Sequence, residues 1–166
     1  MIGVHKALNP ILVEEYNEEF ELIVVETCIN GREIRIVSGY GPQESWSLED
    51  RLPFFQSLEE KIAKAGFAGK SILISVGANS KLGSEWIPKD THKKYPNGKL
   101  FAVILNRHAL IVINGLRGKS SGVITRMRTT KDGEEKSTID IVVVSSDLVE
   151  KVESVTTDEK RSLSHK

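Results

Sequence analysis

The run SILISV, residues 71–76, constrains this chain more than any other stretch. It is short, apolar and β-branched, the composition of a strand buried on both faces. A strand of that kind needs material packed above and below its sheet, which points to a layered α/β arrangement. The 166 residues are enough to bury such a core as one domain without disulfide support. Only one cysteine is present, so an internal disulfide is excluded. Cys28 lies in an apolar run and is expected to be an inert core thiol.

The elements around that strand are read from period and turn chemistry. Residues 20–29 (FELIVVETCI) and 32–40 (REIRIVSGY) flank Asn30-Gly31, a strong two-residue hairpin signal. GPQES then breaks the strand. Residues 47–66 carry apolar side chains at 48, 52, 55, 58 and 62, a helical period, with Ser47 as N-cap and Gly66 as the stop. Pro53 falls near the first turns of that helix, where a proline costs least. A loop is expected over 77–98, a helix over 99–108, and strands over 110–114, 122–130 and 137–145, with KDGEEK as a turn. The polar tail after 145 shows no closing element. Strands and helices mixed in this order give an α/β (α+β) fold class.

Charge narrows function less than pattern does. Lys plus Arg and Asp plus Glu both count 23, so no overall basic bias drives nucleic-acid binding. Locally, residues 14–26 are acidic, whereas 117–131 are basic and contain no acid. That second stretch is either a polyanion-facing surface or a solvated hairpin. No apolar run approaches the roughly 20 residues that span a bilayer, and no signal-peptide core is present at the start. The expectation is an intracellular protein, nuclear or cytoplasmic, with no membrane partner.

Candidates for chemistry cluster at strand ends. Tyr40 closes one strand, Gly77 to Asn79 follow the buried one, and Asp140 interrupts STIDIVVVS. A buried carboxylate is costly without a partner, so Asp140 either has a functional role or lies on a solvated face. Trp46 and Trp86 sit in loops, for packing or for contact with a base or sugar. Lys81, Arg126 and Arg128 are candidate phosphate contacts if the basic stretch faces a groove. His5, His92 and His108 lack metal-ligand spacing.

Three stretches in order, VSGYGPQE, ILISVGANSKLG and STIDIVVVS, resemble the endonuclease/exonuclease/phosphatase superfamily. The nearest likeness is to endonuclease domains of non-LTR retrotransposons, over about residues 3–150. That resemblance implies a four-layered α/β sandwich of two mixed sheets flanked by helices, and Mg²⁺- or Mn²⁺-dependent cleavage of DNA phosphodiesters. It implies that Tyr40 holds the scissile phosphate, Asn79 positions water and phosphate, and Asp140 orients a catalytic histidine. Metal, positioned water and fixed donors are what phosphodiester hydrolysis requires. Gly77 stands where the family has an aspartate, and losing a general base costs about 10²–10⁴-fold. The resemblance also implies that residues 1–166 form a single truncated domain. The N-terminal strands with their metal-binding Glu, and the Ser-Asp-His segment, are expected to be missing. His165 is the one candidate for that histidine, preceded by Ser164 in place of the acid. The expected function is a truncated, degenerate metal-dependent endonuclease, its metal ligands unassigned. The alternative is a non-catalytic module on the same fold that binds nucleic acid or protein.

Overall fold

A computed structural model describes residues 4–14, 22–88, 95–131 and 133–156. Ten strands and two α-helices are found among them: β1 (Ile11–Glu14), β2 (Leu22–Ile29), β3 (Arg32–Tyr40), α1 (Leu48–Phe67), β4 (Ser71–Gly77), α2 (Pro96–Arg107), β5 (Leu110–Val112), β6 (Ser120–Ser121), β7 (Arg126–Thr130), β8 (Gly133–Ser137), β9 (Asp140–Ser145) and β10 (Val155–Thr156). Six strands form one mixed sheet in the order β1-β2-β3-β4-β9-β5. Strands β7 and β8 form a small second sheet, an antiparallel hairpin, and β6 pairs with β10 in parallel.

Alternation along the strands divides the large sheet into two faces. Ile72, Ile74 and Val76 of β4, with Ile141 and Val143 of β9, pack with Phe54, Phe55, Leu58 and Ile62 of α1 and Phe101, Ile104 and Leu105 of α2. The intervening residues, Leu73, Val142 and Val144, belong to a second cluster with Ile34, Ile36 and Leu148, the last from a 3-10 helix over Ser146–Lys151. Thus β4 is lined by apolar residues on both faces, as SILISV required. Asn30 (φ 52°) and Gly31 (φ 76°) make the β2–β3 turn in the left-handed region that this dipeptide tolerates.

Several expectations shift. Helix α1 starts on Ser47 as expected but runs through Gly66 to Phe67, and Gly69 (φ 66°) takes the left-handed position beyond its end. Leu48 and Leu52 are exposed, because the buried face of the helix runs instead through Arg51, Phe54, Phe55, Leu58, Ile62 and Ala65. Helix α2 begins at Pro96, which stands at the first helical position where its missing N–H costs nothing. The expected strand 122–130 is paired only over 126–130, and the expected turn KDGEEK contains β8. The tail closes with the 3-10 helix and β10, and β1 pairs with β2 where no strand was expected. Cys28 is exposed, since it lies near the hairpin end of β2, beyond the covered core.

On the helix-side face, Glu26 of β2 accepts from Arg35 Nε (2.8 Å) and Nη2 (2.6 Å) at one oxygen, and from Lys70 Nζ (2.5 Å) at the other. Burial raises the Glu26 carboxyl, but hydrogen bonds and charge from Lys70 and Arg35 outweigh it and hold the group below its ordinary 4.5. A depressed folded pKa contributes stability above the unfolded value that is lost as pH falls through the folded one. Thermal midpoints measured down from neutral are therefore expected to fall below about pH 4.5. Glu26→Gln, which cannot titrate, is expected to flatten that decline while lowering the midpoint at neutral pH.

Candidate functional site

Strands β3 and β4 run parallel, so their C-terminal ends emerge together, and β9 enters antiparallel beside them. The register places Tyr40 opposite Gly77 and Gly77 opposite Asp140. Laterally paired residues project to the same face. The three sequence candidates therefore form one row, on the face away from the two helices. A Cβ at Gly77 would lie 2.9 Å from Tyr40 Cδ2 and 3.2 Å from Asp140 Oδ1. Tyr40 and Asp140 thus meet over the space a side chain at 77 would occupy.

Each member of the row is held by its backbone. Thr125 Oγ1 accepts from the N–H groups of Ile139 (2.9 Å) and Asp140 (3.0 Å). Asn114, 2% exposed, donates from Nδ2 to the Asp140 carbonyl (3.1 Å) and accepts from the Val142 N–H (2.7 Å). Asp140 is exposed, and its carboxylate has no hydrogen-bond partner among the described residues. It opens β9 at an exposed position rather than lying buried within the strand. Tyr40 is 52% exposed.

The loops beyond β3 and β4 are clamped to each other. Gly41 N–H donates to the Gly77 carbonyl (2.8 Å), and a Cβ at Gly41 would come within 3.0 Å of the Ala78 carbonyl oxygen. Asn79 adopts φ 43° and donates from Nδ2 to the Gly41 carbonyl (2.8 Å). Fully buried Asn97, at the start of α2, donates to the carbonyls of Pro42 (2.8 Å) and Asn79 (3.3 Å) and accepts from Arg51 Nη1 (2.9 Å). Burial pushes Glu44 above the usual carboxylate value, against the charge of Lys81, a backbone hydrogen bond from Asn97 and the charge of Arg51. Glu44 Oε1 and Ser80 Oγ are buried without hydrogen-bond partners among the described residues.

The basic candidates are dispersed. Lys81 is 8% exposed and pairs with Glu135 of β8. Arg126 is exposed on β7, one residue from Thr125. Arg128 lies in register with Glu135, so the basic strand pairs with an acidic one. Trp46 is 52% exposed, whereas Trp86 packs against the helix-side core. His5 accepts the Ala7 N–H at a 3-10 turn, and His108 lies 3.2 Å from Glu59. His92 and His165 fall outside the described residues.

Sequence reading missed Asn114, Thr125, Glu44 and Asn97 as supports. Asn97 falls in the expected loop 77–98, and only the fold shows three segments meeting on its amide. Asn114 ends the expected strand 110–114 and Thr125 opens TRMRTT, but neither type at that position announces a bond to Asp140.

No family model matches the chain, and no curated protein matches it in sequence. Solved structures do. The endonuclease domain of TRAS1, a telomere-specific non-LTR retrotransposon, superposes with a TM-score of 0.60 at 19% identity, over 88% of this chain and 59% of that one. The AP endonuclease LMAP of Leishmania major gives 0.58 at 14% identity, over 77% and 46%. The 3′-5′ exonuclease NExo of Neisseria meningitidis gives 0.52 at 16% identity, over 75% and 53%. The chain has the endonuclease/exonuclease/phosphatase fold. It spans less than two thirds of the length of each of these structures.

Proteins of this fold are generally metal-dependent, so the donor set matters. The row offers one carboxylate, that of Asp140, and Gly77 offers none. Among the described residues no group of three or more His, Cys, Asp and Glu side chains is placed to hold a metal ion. Among the described residues, the single carboxylate of the row falls short of the oxygen donor set that Mg²⁺ or Mn²⁺ takes. No helix among them is long and apolar enough to cross a membrane.

Proposed function

We propose that this chain is a degenerate endonuclease-type domain that has kept the strand-end platform of a DNA phosphodiesterase and lost the acid that makes it a catalyst. The single observation that carries this reading is the Tyr40–Gly77–Asp140 row. Two polar side chains flank, in register, the position at which the resembled family places its aspartate. In this reading the Tyr40 hydroxyl and the exposed Arg126 are donors to a DNA phosphate. Asp140, its backbone fixed by Thr125 and Asn114, keeps an unpaired carboxylate at the same edge. Asn79 holds the two loops together through Gly41 rather than presenting its amide to a water. Without a carboxylate at 77 the row lacks the acid that the resembled family uses to orient and deprotonate the attacking water, and in this reading the site binds a backbone without cutting it.

The test is nicking of supercoiled plasmid by the folded chain in Mg²⁺, in Mn²⁺ and in EDTA, beside Asp140→Ala. The expected result is no metal-stimulated nicking, together with salt-sensitive DNA binding weakened in Tyr40→Ala and Arg126→Ala. Metal-dependent nicking that disappears in Asp140→Ala overturns the degenerate reading and makes the chain an active nuclease. Absence of both nicking and binding from folded protein removes the nucleic-acid reading altogether.

A further inference from the structure

Lys81, in the loop after β4, is nearly buried and contacts two other segments. Its carbonyl accepts the Tyr95 N–H (3.2 Å), and its ammonium lies 4.6 Å from the centre of the Tyr95 ring. That ammonium also pairs with Glu135, 54 residues away on β8. One side chain therefore ties the loop after β4 to the N-cap residue of α2 and to the β7–β8 hairpin. At its base the hairpin is held where Thr125 N–H donates to the Ser137 carbonyl (3.1 Å) and Thr138 Oγ1 to the Val123 carbonyl (2.5 Å). Lys81 grips it further along, in the middle of β8.

We infer that Lys81 is a positioning residue, a latch that fixes the β7–β8 hairpin, whose base at Thr125 holds the Asp140 backbone, and that it is not itself a phosphate ligand. Two physical points separate these roles. An ammonium already shared between a carboxylate and an aromatic face gains little by exchanging them for a phosphate. The side chain is also too enclosed for an incoming backbone to reach without opening the hairpin. The charged groups around it are Glu135 from β8, Glu44 from the loop after β3, and Arg51 from α1 through Glu44. Removing Lys81 takes away the cation that Glu135 and Glu44 both face, and with it the tie between the loop after β4 and β8. The latch stands on this geometry alone. Its consequence for a polyanion rests on the function proposed above.

The experiment has two arms. In amide hydrogen exchange, Lys81→Met and Glu135→Gln are each expected to speed exchange of the β7–β8 ladder about tenfold and to leave the β2–β3 ladder unchanged. Lys81→Arg, which keeps a cation facing Glu135 and Glu44, is expected to retain most of that protection, whereas the uncharged Lys81→Met of similar length does not. Glu135 is 32% exposed at its side chain, so Glu135→Gln reports on the latch even if Lys81→Met does not fold. Unchanged exchange in both Lys81→Met and Glu135→Gln, or a uniform rise through all strands, overturns the inference. The second arm measures the affinity of a short labelled DNA duplex against salt. A latch predicts that both single variants weaken binding alike with the salt slope kept. A direct ligand predicts that Lys81→Met lowers the slope by about 0.9 and that Glu135→Gln tightens binding, a result that overturns the inference. If the duplex does not bind wild type, the proposed function fails, and the exchange arm still decides the latch.

Discussion

Asn97→Ala is expected to lower the stability of this chain by about 3 kcal/mol, read as a reduced urea midpoint with an unchanged slope. The size follows from what one amide holds. Asn97 is fully buried and donates to two carbonyls, those of Pro42 and Asn79, while accepting from Arg51. Arg51 is itself 8% exposed, so its guanidinium loses its side-chain acceptor in a place water reaches poorly. Leaving a buried polar group without its partner costs about 1–3 kcal/mol, more when it is charged. In a chain of this size that corresponds to a drop of about 10 °C in melting temperature. Asn106→Ala, on an exposed position of the same helix, is the control and is expected to stay within about 0.5 kcal/mol. The same variant has a second, local effect. The loops that follow Tyr40 and precede Lys81 share Asn97 as an anchor, so they are expected to lose exchange protection before the sheet does.

That contrast between a legible frame and an illegible clamp runs through the molecule. Asn30-Gly31 fixed the β2–β3 turn and with it the register that sets Ile29 against Arg32. The apolar alternation of β4 and β9 was readable because each strand carries its own burial pattern. The row of Tyr40, Gly77 and Asp140 was half readable: motifs brought the three residues to notice, but their alignment depends on β3 and β4 being parallel and β9 antiparallel. Direction of pairing is a property of the whole sheet, and no local pattern encodes it. Contacts that cross elements were invisible for the same reason. Glu135 read as part of a turn and Lys81 as a phosphate contact because their 54-residue separation hides the ion pair. Strand β1 escaped because a four-residue edge strand with Ile11, Leu12 and Val13 all exposed has no alternation to detect. Function followed the same division. The fold was reachable from three motifs, whereas the neighbours of Gly77, the Tyr40 ring and the Asp140 carboxylate, are identified only by the structure.

Gly77→Asp turns that missing side chain into a measurable quantity. The strand backbone at 77 is ordinary, so nothing in the dihedral angles demands glycine there. The added Cβ does press on the Tyr40 ring at 2.9 Å, but Tyr40 is half exposed and its ring can swing away. Its other neighbour is the Asp140 carboxylate, 3.2 Å from the same Cβ. Two carboxylates held this close cannot both ionise freely, and one of them is driven above its ordinary pKa. A raised folded pKa contributes stability that is present at low pH and lost as pH rises through it. The variant is therefore expected to match wild type near pH 4 and to fall about 2 kcal/mol below it at pH 7. A divalent cation placed between the two acids binds the folded state and not the unfolded one, so Mn²⁺ in excess is expected to restore the melting temperature at pH 7. Wild type, with Asp140 alone, is expected to show no such shift. A variant equally destabilised at both pH values and indifferent to Mn²⁺ would mean that steric pressure from Tyr40 dominates. The row would then be a packing arrangement and not the remnant of a charged site. Recovery with Mn²⁺ would show that the platform holds two acids at metal-binding distance once the second is supplied.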